Sequence, residues 1–198
     1  MTVLGFQSVI DALKISARAL REAEVPFVLG GGMACWARGG PETDHDVDFM
    51  IRPQDAERAL EALGKLGMRT EHPPEDWLYK AWHDDVLIDL IFAPIGEPLD
   101  DHWFANAEEI EVTAVRMKVA ALEDVVSTSL LALSEQYLRY ESVVMIARAL
   151  REQIDWDEVR TRTSSSPFAK AFFTLVEELG IVPRARLAPA SSAPSAAA

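Results

Sequence analysis

Two apolar, strand-like runs in this chain contain aspartates. The first, "DVDFMI", begins with Asp46 and Asp48, and the second, "VLIDLIF", surrounds Asp89 with six apolar residues. Strand interiors usually avoid aspartate, because its short side chain bonds to nearby backbone and loses water on burial. Either the first strand begins after Asp48 and Asp89 faces solvent or an arginine, or the carboxylates share a ligand that compensates their charge.

The spacing of the first two aspartates favours a shared ligand. In an extended strand alternate side chains share a face, so Asp46 and Asp48 point one way while Val47 and Phe49 point the other. Hard divalent cations such as Mg²⁺ prefer oxygen ligands of this kind. If the "VLIDLIF" strand neighbours the first, a pair of cations would compensate all three carboxylates.

The periodicity of the chain predicts an α+β fold, with a small mixed β-sheet core flanked by helices and followed by a C-terminal helical bundle. Predicted strands are "FVL", "VDFMI", "MRTEH", "WLYKAWH" and "VLIDLIF", with a tight turn at Asp84 and Asp85, and "IEVTAVRMKV" alternates further on. Predicted helices cover residues 6–23, part of "MACWARGG", and residues 53–67, 97–107, 123–138, 141–154, 155–163 and 167–180.

The change from mixed to purely helical patterns suggests a division of the chain. We expect an α/β core over residues 1–119, a helical region over 120–182, and a disordered Ala, Ser and Pro tail over 183–198. Asp44 and His45, just before the first acidic strand, are interpreted as turn residues.

Charge and composition exclude several classes of function. Nineteen basic and 32 acidic residues give a net charge of −13, which opposes broad nucleic-acid binding, although Arg116 with Lys118 and Arg160 with Arg162 could form local basic patches. No apolar run reaches the roughly 20 residues of a membrane helix, and the first residues lack a signal-peptide pattern, so we expect a cytoplasmic protein with no membrane partner. The single cysteine, Cys35, excludes an internal disulfide or a cysteine-cluster metal site.

A glycine turn precedes the acidic strand. In "VLGGGMA" the glycines follow a strand and precede a helix, where backbone N–H groups can approach a phosphate. Such a turn can also simply connect the two elements without binding a ligand. Later, Trp77, Tyr79 and Trp82 lie on a predicted strand, where they could pack in the core or stack on a base or an acceptor ring. Trp103 is expected to pack in the core or at a domain interface.

Taken in order, these motifs resemble the DNA polymerase β-like nucleotidyltransferase superfamily, whose hallmark is a strand ending in Gly-Gly or Gly-Ser, a short helix, an Asp-x-Asp strand and a later acidic strand. Thirteen residues separate Gly32 from Asp46, within the spacing of that superfamily, and Asp89 falls on a suitable later strand. This core resemblance covers about residues 24–92. The downstream "VRMKVAALEDVVSTSLLALSEQYL" is similar to small bacterial nucleotidyltransferases of the abortive-infection and toxin–antitoxin type, which extends the likeness to about residue 180.

The resemblance implies transfer of a nucleoside monophosphate from an NTP to a hydroxyl acceptor, which could be RNA, protein or a small molecule. Asp46 and Asp48 would hold two Mg²⁺ or Mn²⁺ ions against the triphosphate, and Asp89 would join the metal near the attacking hydroxyl. The chain would be the toxin-like component of a toxin–antitoxin system, with a cognate antitoxin as partner.

The resemblance also implies a phosphate site. Gly31 and Gly32 would cradle the β and γ phosphates, and Thr43 could donate a hydrogen bond to one of them. Many toxin-type relatives carry a lysine in the helix after "ED", where this chain has Ser129. Lys118, Arg139 or Lys80 could replace that lysine.

This departure leaves two alternatives open. One is a non-catalytic member of the fold that binds a nucleotide or a protein. The other is an antibiotic-modifying nucleotidyltransferase, which would need a pocket for a cationic acceptor.

Overall fold

The computed structural model describes residues 5–43, 46–94 and 99–184. Within these ranges a seven-stranded mixed sheet is combined with eight α-helices, which confirms the predicted α+β class. The strands are β1 (Phe27–Leu29), β2 (Asp46–Ile51), β3 (Arg69–Glu71), β4 (Leu78–His83), β5 (Val86–Ile91), β6 (Glu108–Val112) and β7 (Val115–Val119). The helices are α1 (Phe6–Glu22), α2 (Gly31–Trp36), α3 (Ala56–Lys65), α4 (Asp101–Asn106), α5 (Leu122–Leu131), α6 (Tyr140–Leu150), α7 (Trp156–Arg162) and α8 (Pro167–Glu178).

The two aspartate-bearing strands are neighbours in the middle of the sheet. The strand order is β3-β4-β5-β2-β1-β7-β6, with β2 parallel to β5 and antiparallel to β1. Strands β4 and β5 form the predicted hairpin, whose turn includes Asp84 at φ +51°. The late strand β7 lies parallel to β1, which it meets where Val119 pairs with Leu29.

The two faces of the central strands have different surroundings. Val47, Phe49, Ile88 and Leu90 are fully buried on the face that α1 and α3 cover. Burial of such side chains contributes about 1.5–3 kcal/mol each, so this face supplies much of the driving force for folding. The opposite face carries the aspartates and is partly covered by α2, with α5 packed behind it.

The C-terminal helices continue the apolar core of the sheet. Buried residues of α5, α6, α7 and α8 belong to the same cluster as those of the strands. Asp124 of α5 is fully buried, and Arg162 Nη2 of α7 lies 2.7 Å from its Oδ1. The division at residue 119 stays a prediction.

One predicted helix is too long. Helix α5 ends at Leu131 rather than at Leu138, and the chain then makes a turn in which Ser134 and Tyr137 exchange two backbone hydrogen bonds of 3.1 and 3.0 Å. The physical reason is that residues 135–139, which follow the buried Leu133, are all exposed. They therefore have no apolar face to pack against the core.

The last two helices begin at side-chain caps, and some predictions fall outside the described ranges. Asp155 caps α7 and Ser166 caps α8, each through a side-chain oxygen that accepts hydrogen bonds from backbone N–H groups. The predicted turn at Asp44 and His45, and residues 185–198 of the predicted tail, lie outside the described residues. None of the described helices combines the length and the hydropathy that crossing a membrane would require.

Candidate functional site

Three carboxylates meet on one face of the sheet. Asp48 pairs with Asp89 across the parallel β2/β5 ladder, and Asp46 precedes Asp48 by two residues on the same face. One oxygen from each carboxylate lies within 4.8 Å of the others. The structure thus brings together the three aspartates singled out in the sequence.

Burial and mutual repulsion disfavour the charged forms of Asp48 and Asp89. Burial, reinforced by the charges of Asp46 and Asp89, raises the pKa of Asp48 well above its usual value. Burial also raises the pKa of Asp89 to about 6, although nearby Lys80 opposes the shift. Lys80 Nζ lies 3.9 Å from Asp89 Oδ1, and this buried oxygen accepts no hydrogen bond within the described residues. A cation bound between the carboxylates would relieve all of these penalties.

Gly31 packs directly against the carboxylates. It is the first residue of α2, has a φ of +52°, and leaves no room for a side chain, because a Cβ there would collide with the Asp48 carboxylate. Gly30 N–H fixes this approach by donating to the Asp48 carbonyl oxygen at 2.9 Å. Only glycine satisfies both the backbone conformation and the close contact.

Gly32 and Thr43 lie side by side next to this group. A Cβ at Gly32 would be 3.0 Å from Thr43 Cβ, so these two predicted phosphate ligands are neighbours. Gly32 lies in the first turn of α2 rather than in a turn before it, because the helix begins earlier than the sequence suggested. The role of both residues in phosphate binding stays a prediction.

Lys118 is engaged elsewhere. Its Nζ donates a 2.6 Å hydrogen bond to the Phe104 carbonyl oxygen, and it does not line the cavity beside the carboxylates. Its predicted contact with a nucleotide therefore has no support from the geometry and stays a prediction. Lys80 and Arg139, the other two candidates for the missing lysine, both lie at the site: Lys80 next to Asp89, and Arg139 on the cavity wall.

A cavity of about 500 Å³ opens next to Asp48. Its floor is the face of β2 and β5, where Asp48 is followed by Met50 and Ile91, and Gly31 of α2 borders this floor. Its opposite wall comes from α5, which contributes Ser129, and from the start of α6. The C-terminal helices thus form one wall of a half-open cavity beside Asp48.

Aromatic side chains and one arginine complete the cavity wall. Trp77, Trp103 and Tyr137 line it together with Arg139. Sequence reasoning left Trp77 open between core packing and ring stacking, and it missed Tyr137, which it placed within a helix. The signal for Tyr137 was the polar stretch at residues 134–136 just before it, which weakens the apolar helical period.

Solved structures share this architecture. The antibiotic-resistance factor ANT(2'')-Ia, in a solution structure, is 14% identical with a TM-score of 0.61, and the match covers 89% of this chain and 99% of ANT(2'')-Ia. A crystal structure of ANT(2'')-Ia with adenylyl-2''-tobramycin is 16% identical with a TM-score of 0.58, covering 82% and 98%. A candidate nucleotidyltransferase from Thermotoga maritima is 15% identical with a TM-score of 0.52, covering 74% and 94%. At these identities the likeness establishes the fold.

The sequence itself carries a family assignment. No functionally curated protein matches the chain at a significant level. A family model described as "Uncharacterised nucleotidyltransferase" matches residues 8–178, which include the glycine turn, all three aspartates and the cavity-forming helices. The resemblance drawn from the motifs is therefore confirmed, and the chain belongs to this family of uncharacterised nucleotidyltransferases.

Proposed function

We propose that the protein transfers a nucleoside monophosphate from an NTP to a hydroxyl group, using divalent cations held by Asp46, Asp48 and Asp89. The observation that carries this proposal is the three-carboxylate group, whose oxygens lie within 4.8 Å of one another. Gly31, packed against Asp48 with no room for a side chain, adds a backbone surface that a phosphate could approach.

The chemistry of the three carboxylates fits a hard divalent cation. All three carboxylates offer oxygen ligands to a metal. Burial and mutual repulsion raise the pKa values of Asp48 and Asp89, and the buried Asp89 Oδ1 accepts no hydrogen bond from the described residues. Mg²⁺ and Mn²⁺ both suit such ligands. When bound, such ions would neutralise charge on the phosphate oxygens and make the acceptor hydroxyl easier to deprotonate.

The residues of the chain would then position the reactants. The acceptor oxygen forms a bond to the α-phosphorus as the bond to pyrophosphate breaks, and we propose that the Asp89 carboxylate takes up the hydroxyl proton. Its position beside Asp48 on the carboxylate face supports this role. Gly31 and Gly32 would hold the departing phosphates, and Lys80 would keep a positive charge beside Asp89.

Among the three predicted kinds of acceptor, the cavity favours a small molecule. A half-open cavity of about 500 Å³ next to Asp48 has the size of a typical small-molecule site. The crystal structure of ANT(2'')-Ia with adenylyl-2''-tobramycin contains an adenylylated small molecule, on the same fold. The toxin–antitoxin role and the cognate antitoxin stay predictions.

Label transfer tests the proposal. The protein is incubated with each α-³²P-labelled NTP, with Mg²⁺ or Mn²⁺, and with small-molecule extracts, RNA or protein as acceptors. Asp46→Asn, Asp48→Asn and Asp89→Asn should each abolish transfer, because the metal ligands lose their charge. Asp11→Asn is the matched control, since Asp11 is an exposed residue of α1 that bonds to Gln7.

Two results would contradict the proposal. Label transfer that persists in all three site variants would show that the reaction does not need these carboxylates. Tight NTP binding by calorimetry without any label transfer would favour the non-catalytic alternative.

A further inference from the structure

We infer that the cavity beside Asp48 is the acceptor site, and that it takes an uncharged or singly anionic ring compound bearing a hydroxyl group rather than a polycation. This inference rests on the proposed function and specifies the substrate class of the same site. It depends on three features of the cavity: its position relative to the predicted phosphate ligands, its aromatic wall and its charge.

The position separates the cavity from the predicted phosphate site. Gly32 and Thr43 adjoin each other but do not line the cavity, whereas Gly31 and Asp48 do. From Asp48 the floor continues along the strands to Met50 and Ile91, which are apolar. A triphosphate at Gly32 would therefore meet the cavity only at its carboxylate end, which leaves the rest of the space to the second reactant.

The wall presents aromatic surface to this space. Trp77 and Tyr137 remain 40% and 52% exposed although they line the cavity, so their rings are available to a ligand. Ser129 adds little polarity, since its Oγ already donates to the Val125 carbonyl oxygen at 2.9 Å. Exposed Trp and Tyr faces gain free energy by stacking on a flat ring.

The charge of the lining opposes a cationic acceptor. Among the described lining residues the charged groups are Asp48 and Arg139, and in the proposed reaction the Asp48 carboxylate belongs to the metal. Arg139 lies on the chain just before α6, with its Cζ 5.3 Å from the Tyr137 ring centroid. A ligand stacked on Tyr137 would thus have a guanidinium next to it, which favours a neutral or singly anionic compound and repels a polycation.

Equilibrium binding to the full chain, with Mg²⁺ and without nucleotide, tests this inference. The probes are 2-naphthol, its singly anionic relative 6-hydroxynaphthalene-2-sulfonate, and the polycation tobramycin, followed by probe or tryptophan fluorescence and by calorimetry. Both naphthols should bind at least about tenfold more tightly than tobramycin. The sulfonate should bind more tightly than 2-naphthol, because only the sulfonate can pair with Arg139.

Matched variants locate the binding. Trp77→Ala and Tyr137→Ala should each weaken both naphthols at least fivefold, whereas Leu66→Ala, which removes a 52% exposed side chain outside the cavity, should not. Arg139→Ala should abolish the preference for the sulfonate, and Arg18→Ala on α1 should keep it. Because Trp77 and Tyr137 are 40% and 52% exposed, their truncation should leave the thermal transition in place.

Competition separates the acceptor from the nucleotide. A non-cleavable NTP analogue with Mg²⁺ should leave naphthol affinity unchanged or raise it, because the two ligands occupy different parts of the site. Displacement of naphthol by this analogue, tighter binding of tobramycin, or cavity variants that behave like Leu66→Ala would each overturn the inference. Since no transfer is needed for this readout, loss of the proposed activity in the labelling assay would be recognised separately.

Discussion

The metal-free protein should become more stable at high pH when Asp89 is replaced by Asn. Asp89 is largely buried, its Oδ1 accepts no hydrogen bond within the described residues, and it pairs with Asp48 across the ladder. Ionising Asp89 without a bound cation therefore destabilises the folded state, whereas the uncharged amide of Asp89→Asn does not have this cost. We expect Asp89→Asn to gain stability over the wild type as pH rises from 4 to 8.

The size of the effect follows from the pKa of Asp89. Burial raises this pKa from 3.8 to about 6, so the folded carboxyl keeps its proton at pH values where the unfolded one has lost it. The stability this provides is present below pH 3.8 and is lost as pH rises through 6. At about 1.4 kcal/mol per pKa unit, the wild type should lose about 2–3 kcal/mol relative to the variant between pH 4 and pH 8.

Urea denaturation with EDTA, followed by tryptophan fluorescence, measures this difference at each pH. The change in the difference with pH is the relevant quantity, because any constant effect of the amide cancels. Asp11→Asn, which removes an exposed carboxylate, should show no such pH dependence. Adding Mg²⁺ at pH 8 should stabilise the wild type and leave Asp89→Asn nearly unchanged.

Two results would refute this reasoning. If the difference in free energy of unfolding between Asp89→Asn and the wild type did not increase with pH, folding would not raise the pKa of Asp89. If Mg²⁺ stabilised both proteins equally, the ion would bind somewhere other than at Asp89.

Three further predictions concern other parts of the structure. Gly31→Ala should lose label transfer while Gly39→Ala keeps it, although each costs about 1 kcal/mol for a Cβ at positive φ, because only Gly31 abuts a carboxylate. Arg162→Leu should lower the free energy of unfolding in urea by about 3 kcal/mol or more, since it leaves the fully buried Asp124 without its cation, and adding Asp124→Asn should recover part of the loss. Cys35 is fully buried and burial raises its pKa to about 12, so a chromogenic disulfide reagent should label it only after unfolding.

Local sequence patterns predicted the carboxylate group because it depends on features that adjacent residues encode. Asp46 and Asp48 share a face through strand alternation, and Asp89 breaks an apolar run that would otherwise read as fully buried. Sequence alone left open whether β5 would neighbour β2, which depends on pairing between segments far apart in the chain. The functional roles of these residues are a separate question that the labelling assay addresses.

Features that depend on tertiary context were harder to predict. The turn between β6 and β7 uses Thr113 and Ala114, both at positive φ, where the usual signal would be Asn or Gly. The early end of α5 was missed because the helical period of "SEQYL" continues weakly after the buried face has ended. As a result Tyr137 was placed on a helix, rather than on the turn that carries it to the cavity.

The place of β7 in the sheet has a consequence for how the site forms during synthesis. The carboxylates can come together once β5 has been made, because they need only β2 and its parallel neighbour. The cavity wall comes much later, since α5 follows β7 and β7 must first pair with β1 near the start of the chain. A nascent chain would therefore contain the proposed metal ligands before the proposed acceptor cavity has formed. An early fragment could then bind cations but could not select a substrate.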